Sequence, residues 1–500
     1  MKLASAPLRF ILSLLLCVVA PSAAHAHVGS KDVFEQVEAG PYKLYVTIRM
    51  PTVIPGVATV EVRSSGTDVS TIHITPLPIT GEASKHPPTS DPMARSAADP
   101  AFFTGSLWMM ASGSWQVRFQ ISGEAGEQTV SVPVPAVALS TLKMQRGLGA
   151  VLGILGLFLV VSMAGIVAAA VRDARLEPGA VPSPGRRRRA IWATAGSLVF
   201  MALLVWGGAT WWNAEAASYS LDVYHPLRVD PVLSSNVLDL QVRAFKPESE
   251  RRGRSNNDFL LDHGHLMHLY AIREPEMDAV FHLHPELVEA GDFRIALPAM
   301  PAGAYALYGD VVHASGFPET LVSKIVVPEN MAGGRPGPDD AAAYPQPLSQ
   351  GQLGDSYKLP DGYMMVWDRP SALTANTAYS FRFHLLDPNS KPAADMQPYM
   401  GMAGHAAFVK TDGTVFAHTH PEGSAAMPAL MLANGGDGSN SMSHEGMSMD
   451  MPMEMGQHSD PISSTVEFPY GFPSPGRYRI FVQMKHGTTI ETGSFDASVE

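Results

Sequence analysis

Short stretches of alternating apolar and polar residues dominate the chain. Residues 42–48, 57–62, 114–121 and 128–132 read with period two and are bounded by Gly, Ser and Pro, the signature of half-buried strands. The same pattern returns at 237–245, at 269–272 and 279–283 around a Glu274-Pro275-Glu276 turn, and at 304–312 and 321–327. Two apolar runs free of charge, 147–171 and 190–212, interrupt it. Each is long enough to cross about 30 Å of hydrocarbon at about 1.5 Å per residue. The predicted fold is mainly β: three immunoglobulin-like β-sandwich modules plus a two-helix transmembrane hairpin. The modules are expected at 27–142, 218–330 and 355–500, with a linker rich in Gly, Pro, Ala and Asp at 331–354.

Arg172, Arg175 and the run Arg186-Arg187-Arg188-Arg189 lie between the two apolar runs. Positive loops stay cytoplasmic, so 172–189 is expected inside and both long flanks outside, on the periplasmic face of an inner membrane. Residues 1–26 read as a signal peptide with Lys2 and Arg9 before an apolar core. Cleavage after Ala26 or Ala24 leaves His27 or His25 at the new terminus, where amine and ring together chelate copper.

The second and third modules repeat each other. Phe281-His282-Leu283-His284-Pro285-Glu286 returns as Ala417-His418-Thr419-His420-Pro421-Glu422. Upstream, Gly264 to His268 is answered by Gly401 to His405; downstream, 293–313 aligns without a gap on 466–486. Gly303, Tyr305 and His313 match Gly476, Tyr478 and His486, and Gly113-Ser114-Trp115 marks the first module as a more distant relative.

In a strand, residues i and i+2 share a face. His282 therefore projects with His284, and His418 with His420. A hairpin turning at Asp412-Gly413 sets His405 opposite His420, and His268 completes the same arrangement in the second module. Each module is thus expected to carry its own three-histidine face. His313 and His486 are expected to bring a fourth imidazole to each, with Glu286 and Glu422 orienting the rings. The copies differ in softness: His263 and His265 align with Met400 and Met402, and thioethers select Cu(I). An insertion at 427–460 carries Met442, His444, Met447, Met449, Met451, Met453 and Met455 among Ser, Asp, Glu and Pro. That composition predicts a disordered, metal-capturing loop.

A formal charge of −12 and a single cysteine, Cys17, bound the chemistry further. The acidic balance argues against a nucleic-acid partner. With Cys17 in the removed segment, no thiolate remains for a blue-copper site. Imidazole donors then suit copper, favoured by the Irving–Williams order, with zinc as the alternative. The exported N-terminal histidine and small sandwich resemble the CopC family of periplasmic copper proteins, from which only His27 (or His25) carries over. The membrane-tethered sandwich with its Gly-x-aromatic strand resembles the YtkA-like and FixH-like families, and the Met/His loop is similar to those of periplasmic copper-resistance proteins. The expectation is a membrane-anchored, extracytoplasmic copper-binding protein for sequestration, resistance or delivery. Its partner would be a copper transporter or copper enzyme. A metal-dependent enzyme using the clusters and a metal-free adaptor are the alternatives.

Overall fold

The structure, a computed structural model, describes residues 32–177, 179–243, 255–435 and 462–500. The signal segment, His27 and the Met/His run from Met442 to Met455 lie outside the described residues.

The period-two stretches of the first module form a sandwich. Val33–Ala39, Tyr42–Arg49, Gly56–Gly66 and Phe102–Met109 build one sheet; Val69–Pro78, Gly113–Gly123 and Gly126–Ala136 build the other. Leu44, Val46 and Ile48 from one face, and Val117, Phe119 and Ile121 from the other, meet in its core. Each such side chain contributes about 1.5–3 kcal/mol by leaving water.

The two apolar runs are helices, α1 (Arg146–Asp173) and α2 (Pro184–Ser220). Ser183 begins α2, its hydroxyl accepting the Arg186 N–H, and Pro184 occupies the first turn, where a missing N–H costs nothing. Phe158, Trp192, Trp206 and Trp211 lie exposed along the pair. Both helices are long and apolar enough to cross a membrane.

The remaining two modules are sandwiches joined face to face. Of the second module, β1 (His268–Glu274), β2 (Val280–Leu283) and β3 (Gly303–His313) form the sheet that meets its repeat. Of the third, β4 (His405–Lys410), β5 (Phe416–Thr419) and β6 (Gly476–His486) do the same. Leu269, Ala271, Phe281 and Leu283 point into their own module's core, as Ala406, Phe408 and Ala417 point into theirs. The alternate residues Tyr270, Ile272, Val280, Ala407, Val409 and Phe416 share a separate core between the modules. Tyr308 and Phe416 stack there with centroids 4.4 Å apart. At one end of this interface Arg479 is fully buried, donating to Asp496 and to the carbonyls of Met277 and Gln346.

Three local features differ from the sequence reading. The linker is partly structured: Ala341–Ala343 adds a strand beside β2. The β4–β5 turn is wider than Asp412-Gly413, since the last backbone bond before it joins the Lys410 N–H to the Val415 carbonyl. Its register is nonetheless the expected one, with Ala406 opposite Thr419. The insertion opens as a short helix, α3 (Met427–Ala433), followed by Asn434, whose side chain pairs with the Ser131 backbone of the first sandwich.

Candidate metal centre

Because the two sheets face one another, the histidines project into a single seam and not onto two separate faces. His268 continues the row of Tyr270 and Ile272, and His282 and His284 continue that of Val280. Across the seam His405 continues Ala407 and Val409, while His418 and His420 continue Phe416. Rings of His282 and His405, from different modules, have centroids 6.3 Å apart; those of His268 and His418 are 5.4 Å apart. His282 and His405 are wholly buried, and His268 and His420 nearly so.

A repeated tight turn supplies two further rings. Asp262 and His265 exchange backbone hydrogen bonds, as do Tyr399 and Met402. Between them His263-Gly264 and Met400-Gly401 both take positive φ (51° and 89°, 48° and 82°). That is the two-residue hairpin turn for which glycine in second place is favoured. His263 crosses to the other module, its ring 4.8 Å from that of His420 and 5.4 Å from that of His405. His265 stacks on His284 at 4.0 Å. Met400 is half-buried at the equivalent tip and Met402 is buried.

Two triads result, each with ring nitrogens within 4.8 Å of one another: His268, His282 and His284, and His263, His405 and His420. In the first, surrounding groups fix the tautomers. The Asp262 carbonyl lies 2.9 Å from His268 Nε2, the Gln483 carbonyl oxygen 2.8 Å from His282 Nδ1, and Asp340 Oδ1 3.0 Å from His284 Nδ1. Each acceptor requires an N–H on the nitrogen it faces. The other nitrogen of each neutral ring is then a bare lone pair, and all three point inward. His268 Nδ1 and His282 Nε2 lie 3.2 Å apart, two lone pairs facing each other. Two nitrogens bound at about 2.0–2.1 Å to one tetrahedral ion lie roughly 3.3 Å apart.

Neutrality is enforced by the surroundings. Burial, then the neighbouring imidazoles, hold His268, His282, His405 and His420 well below the ordinary histidine range. In His263 and His284 burial outweighs the adjacent Asp262 and Asp340 and also lowers the pKa. Both ring nitrogens of His405, and Nε2 of His263, His284 and His418, have no hydrogen-bond partner among the described residues. Buried polar atoms without partners are rare and costly. A metal ion is the partner that neutral, converging imidazoles fit.

The structure does not bring His313 or His486 to this seam. The β1–β3 register sets His268 opposite Asp310, so His313 falls three residues beyond. Its ring lies 2.9 Å from Asp258 and 3.0 Å from Glu319. Burial opposes its charge, but the two carboxylates prevail and lift its pKa to about 9. His486 is likewise displaced from the seam, stacked on Tyr363 at 3.9 Å with Asp361 and Asp395 about its ring at 2.9 Å and 3.2 Å. With Asp361 and Glu491 it forms a separate group whose ligand atoms lie within 4.8 Å of one another and could hold a metal. Glu286 is exposed on a neighbouring strand and Glu422 is exposed beyond β5; the orienting work falls to other residues. Those residues are Asp262, Asp340, Gln483, Asp339 beside His265 (3.2 Å), Asp310 beside His418 (3.5 Å), and Tyr399, whose hydroxyl lies 3.3 Å from His282 Nδ1. Gln483 and Asp310 had one available sign: each lies three residues before the matched His486 or His313.

Residues 357–500 match a family described as a domain of unknown function (DUF8832). No curated protein matches the chain. Among solved structures, the chain is similar to a tetra-tandem repeat from the extending region of a large adhesion protein (7% identity, 90% of this chain and 72% of that one, TM-score 0.16). It is also similar to a bacterial ice-binding adhesin (7%, 93% and 99%, TM-score 0.15). A third likeness is to the alpha-2-macroglobulin of E. coli (7%, 97% and 23%, TM-score 0.18).

Proposed function

We propose that this protein is a membrane-anchored, extracytoplasmic copper-binding protein that sequesters the ion in the seam between its two repeated modules. The observation that carries this reading is the inward set of lone pairs on His268, His282 and His284, each fixed by an outer hydrogen bond. Outer partners of this kind orient rings and raise their basicity in metal sites. An all-imidazole donor set suits copper or zinc, and copper is the tighter-binding of the two. Deep burial favours holding over rapid exchange, and a cavity of about 130 Å³ beside His418, His420, Asp262 and Asp310 leaves room for entry at that edge. The arginines between α1 and α2 orient the hairpin with its loop in the cytoplasm, which puts all three sandwiches on the far side.

The test is elemental analysis of the full-length protein, purified in detergent, loaded with copper and desalted. Copper retained in stoichiometric amount is expected, and copper at background sinks the reading. Exclusion of added Cu(II) with equal retention of zinc would assign the site to zinc.

A further inference from the structure

We infer that the seam holds two metal ions as a neighbouring pair, one in each triad. The inference rests on the metal-binding reading above and goes beyond it in number, placement and consequence.

The two triads share no residue, and one four-coordinate ion takes about four donors. An ion on His268, His282 and His284 would leave His263, His405 and His420 as a second set of buried neutral rings, the nitrogens of His405 wholly unpartnered. His418 sits between the sets: its ring lies 5.4 Å and 5.5 Å from those of His268 and His282, and 5.5 Å and 4.8 Å from those of His405 and His420. Its Nε2 is also unpartnered. The triads adjoin, with His263 and His268 ring centroids 6.2 Å apart, so ions in them would be close neighbours.

Charge points to the same number. Two dications in a buried site need about four compensating charges. Asp262 lies 3.4 Å from His263, Asp310 3.5 Å from His418, Asp339 3.2 Å from His265 and Asp340 3.0 Å from His284. Those four carboxylates, one beside each of four rings, match two dications and exceed what one requires.

The placement has a mechanical consequence. The first triad lies within one module, whereas the second takes His263 from one module and His405 and His420 from the other. The second ion therefore clamps the modules together.

Paramagnetic resonance on the copper-loaded, full-length wild-type protein tests the pair directly. Two Cu(II) ions this close interact magnetically, so the spectrum should carry the dipolar splitting and half-field line of a coupled pair. Copper held elsewhere as isolated ions gives no half-field line. The variant His405→Gln/His420→Gln should lose one equivalent of copper and the half-field line, leaving the spectrum of a single isolated ion. Combining it with His282→Gln/His284→Gln should remove two equivalents in all. A copper-loaded wild-type spectrum without the half-field line overturns the pair, as does a combined variant that loses only one equivalent. A wild-type protein with no copper instead overturns the metal-binding reading beneath it.

Discussion

His282 and His313 lie in the same sandwich and are both buried, yet they have opposite chemistry. His282 faces the seam, where its neighbours are a carbonyl oxygen and other imidazoles, and it is held neutral. His313 ends β3 between Asp258 and Glu319 and is held charged. Burial alone therefore does not mark a metal ligand. What marks the candidate ligands of the seam is the convergence of their ring nitrogens on one another, within 4.8 Å. His486, the repeat partner of His313, also has carboxylates on both sides, so in both copies the strand-end ring faces acids and not other imidazoles.

The largest expected effect that separates the two environments is on metal content. His282→Ala with His284→Ala should lower copper affinity at the first triad by at least a hundredfold, while His313→Ala leaves the copper count unchanged; equilibrium dialysis reads both. Equal loss in the two variants would erase the distinction.

The second effect is on stability against pH in the metal-free protein. A raised pKa means stabilisation fully present below the unfolded value, about 6.5, and lost as pH rises through the folded value of about 9. For His313 this amounts to about 3 kcal/mol across that window. The seam histidines have the opposite sign: their lowered pKa values leave stability intact above about 6.5 and erode it as pH falls toward the folded values. Denaturant titrations should thus show a maximum between the two limits. In Glu319→Gln the alkaline decline should flatten, and an unchanged alkaline limb would show that Glu319 does not hold the charge.

Third, copper at a hundredfold excess over its dissociation constant should stabilise the fold by about 2.7 kcal/mol, visible as a rise in Tm that a chelator reverses. His313→Ala should lower the starting Tm without reducing this increment. The smallest effect is expected from Asp340→Asn, which keeps a hydrogen-bond acceptor beside His284 but removes the charge. A loss of affinity of about tenfold is typical for such an outer partner, and isothermal titration would detect it.

Much of this was legible in the amino-acid sequence. Period-two alternation located four strands of the first sandwich and five of the second, the third was read through its repeat of the second, and uninterrupted apolar runs located α1 and α2. The repeat of His-x-His-Pro-Glu with its upstream histidine identified six of the seam rings, and the i, i+2 rule with the hairpin register placed His405 opposite His420. His263 and His265 were visible as neighbours of the motif, but their turn was not. A non-glycine residue at positive φ is a local cost that only the surrounding packing justifies.

Tertiary structure decided the rest. A strand's periodicity states which residues share a face, but not what that face meets. In β1, β2, β4 and β5 both faces are buried, one against the module's own second sheet and one against the repeat. The sequence of one module contains no term for the other, so two expected three-histidine faces became one seam with interlocked triads. The acids that orient the rings came from a linker, a turn and a middle strand, far from the motif in sequence. They are fixed by sheet register, which places Asp310 and Gln483 at the rings and carries His313 and His486 past them.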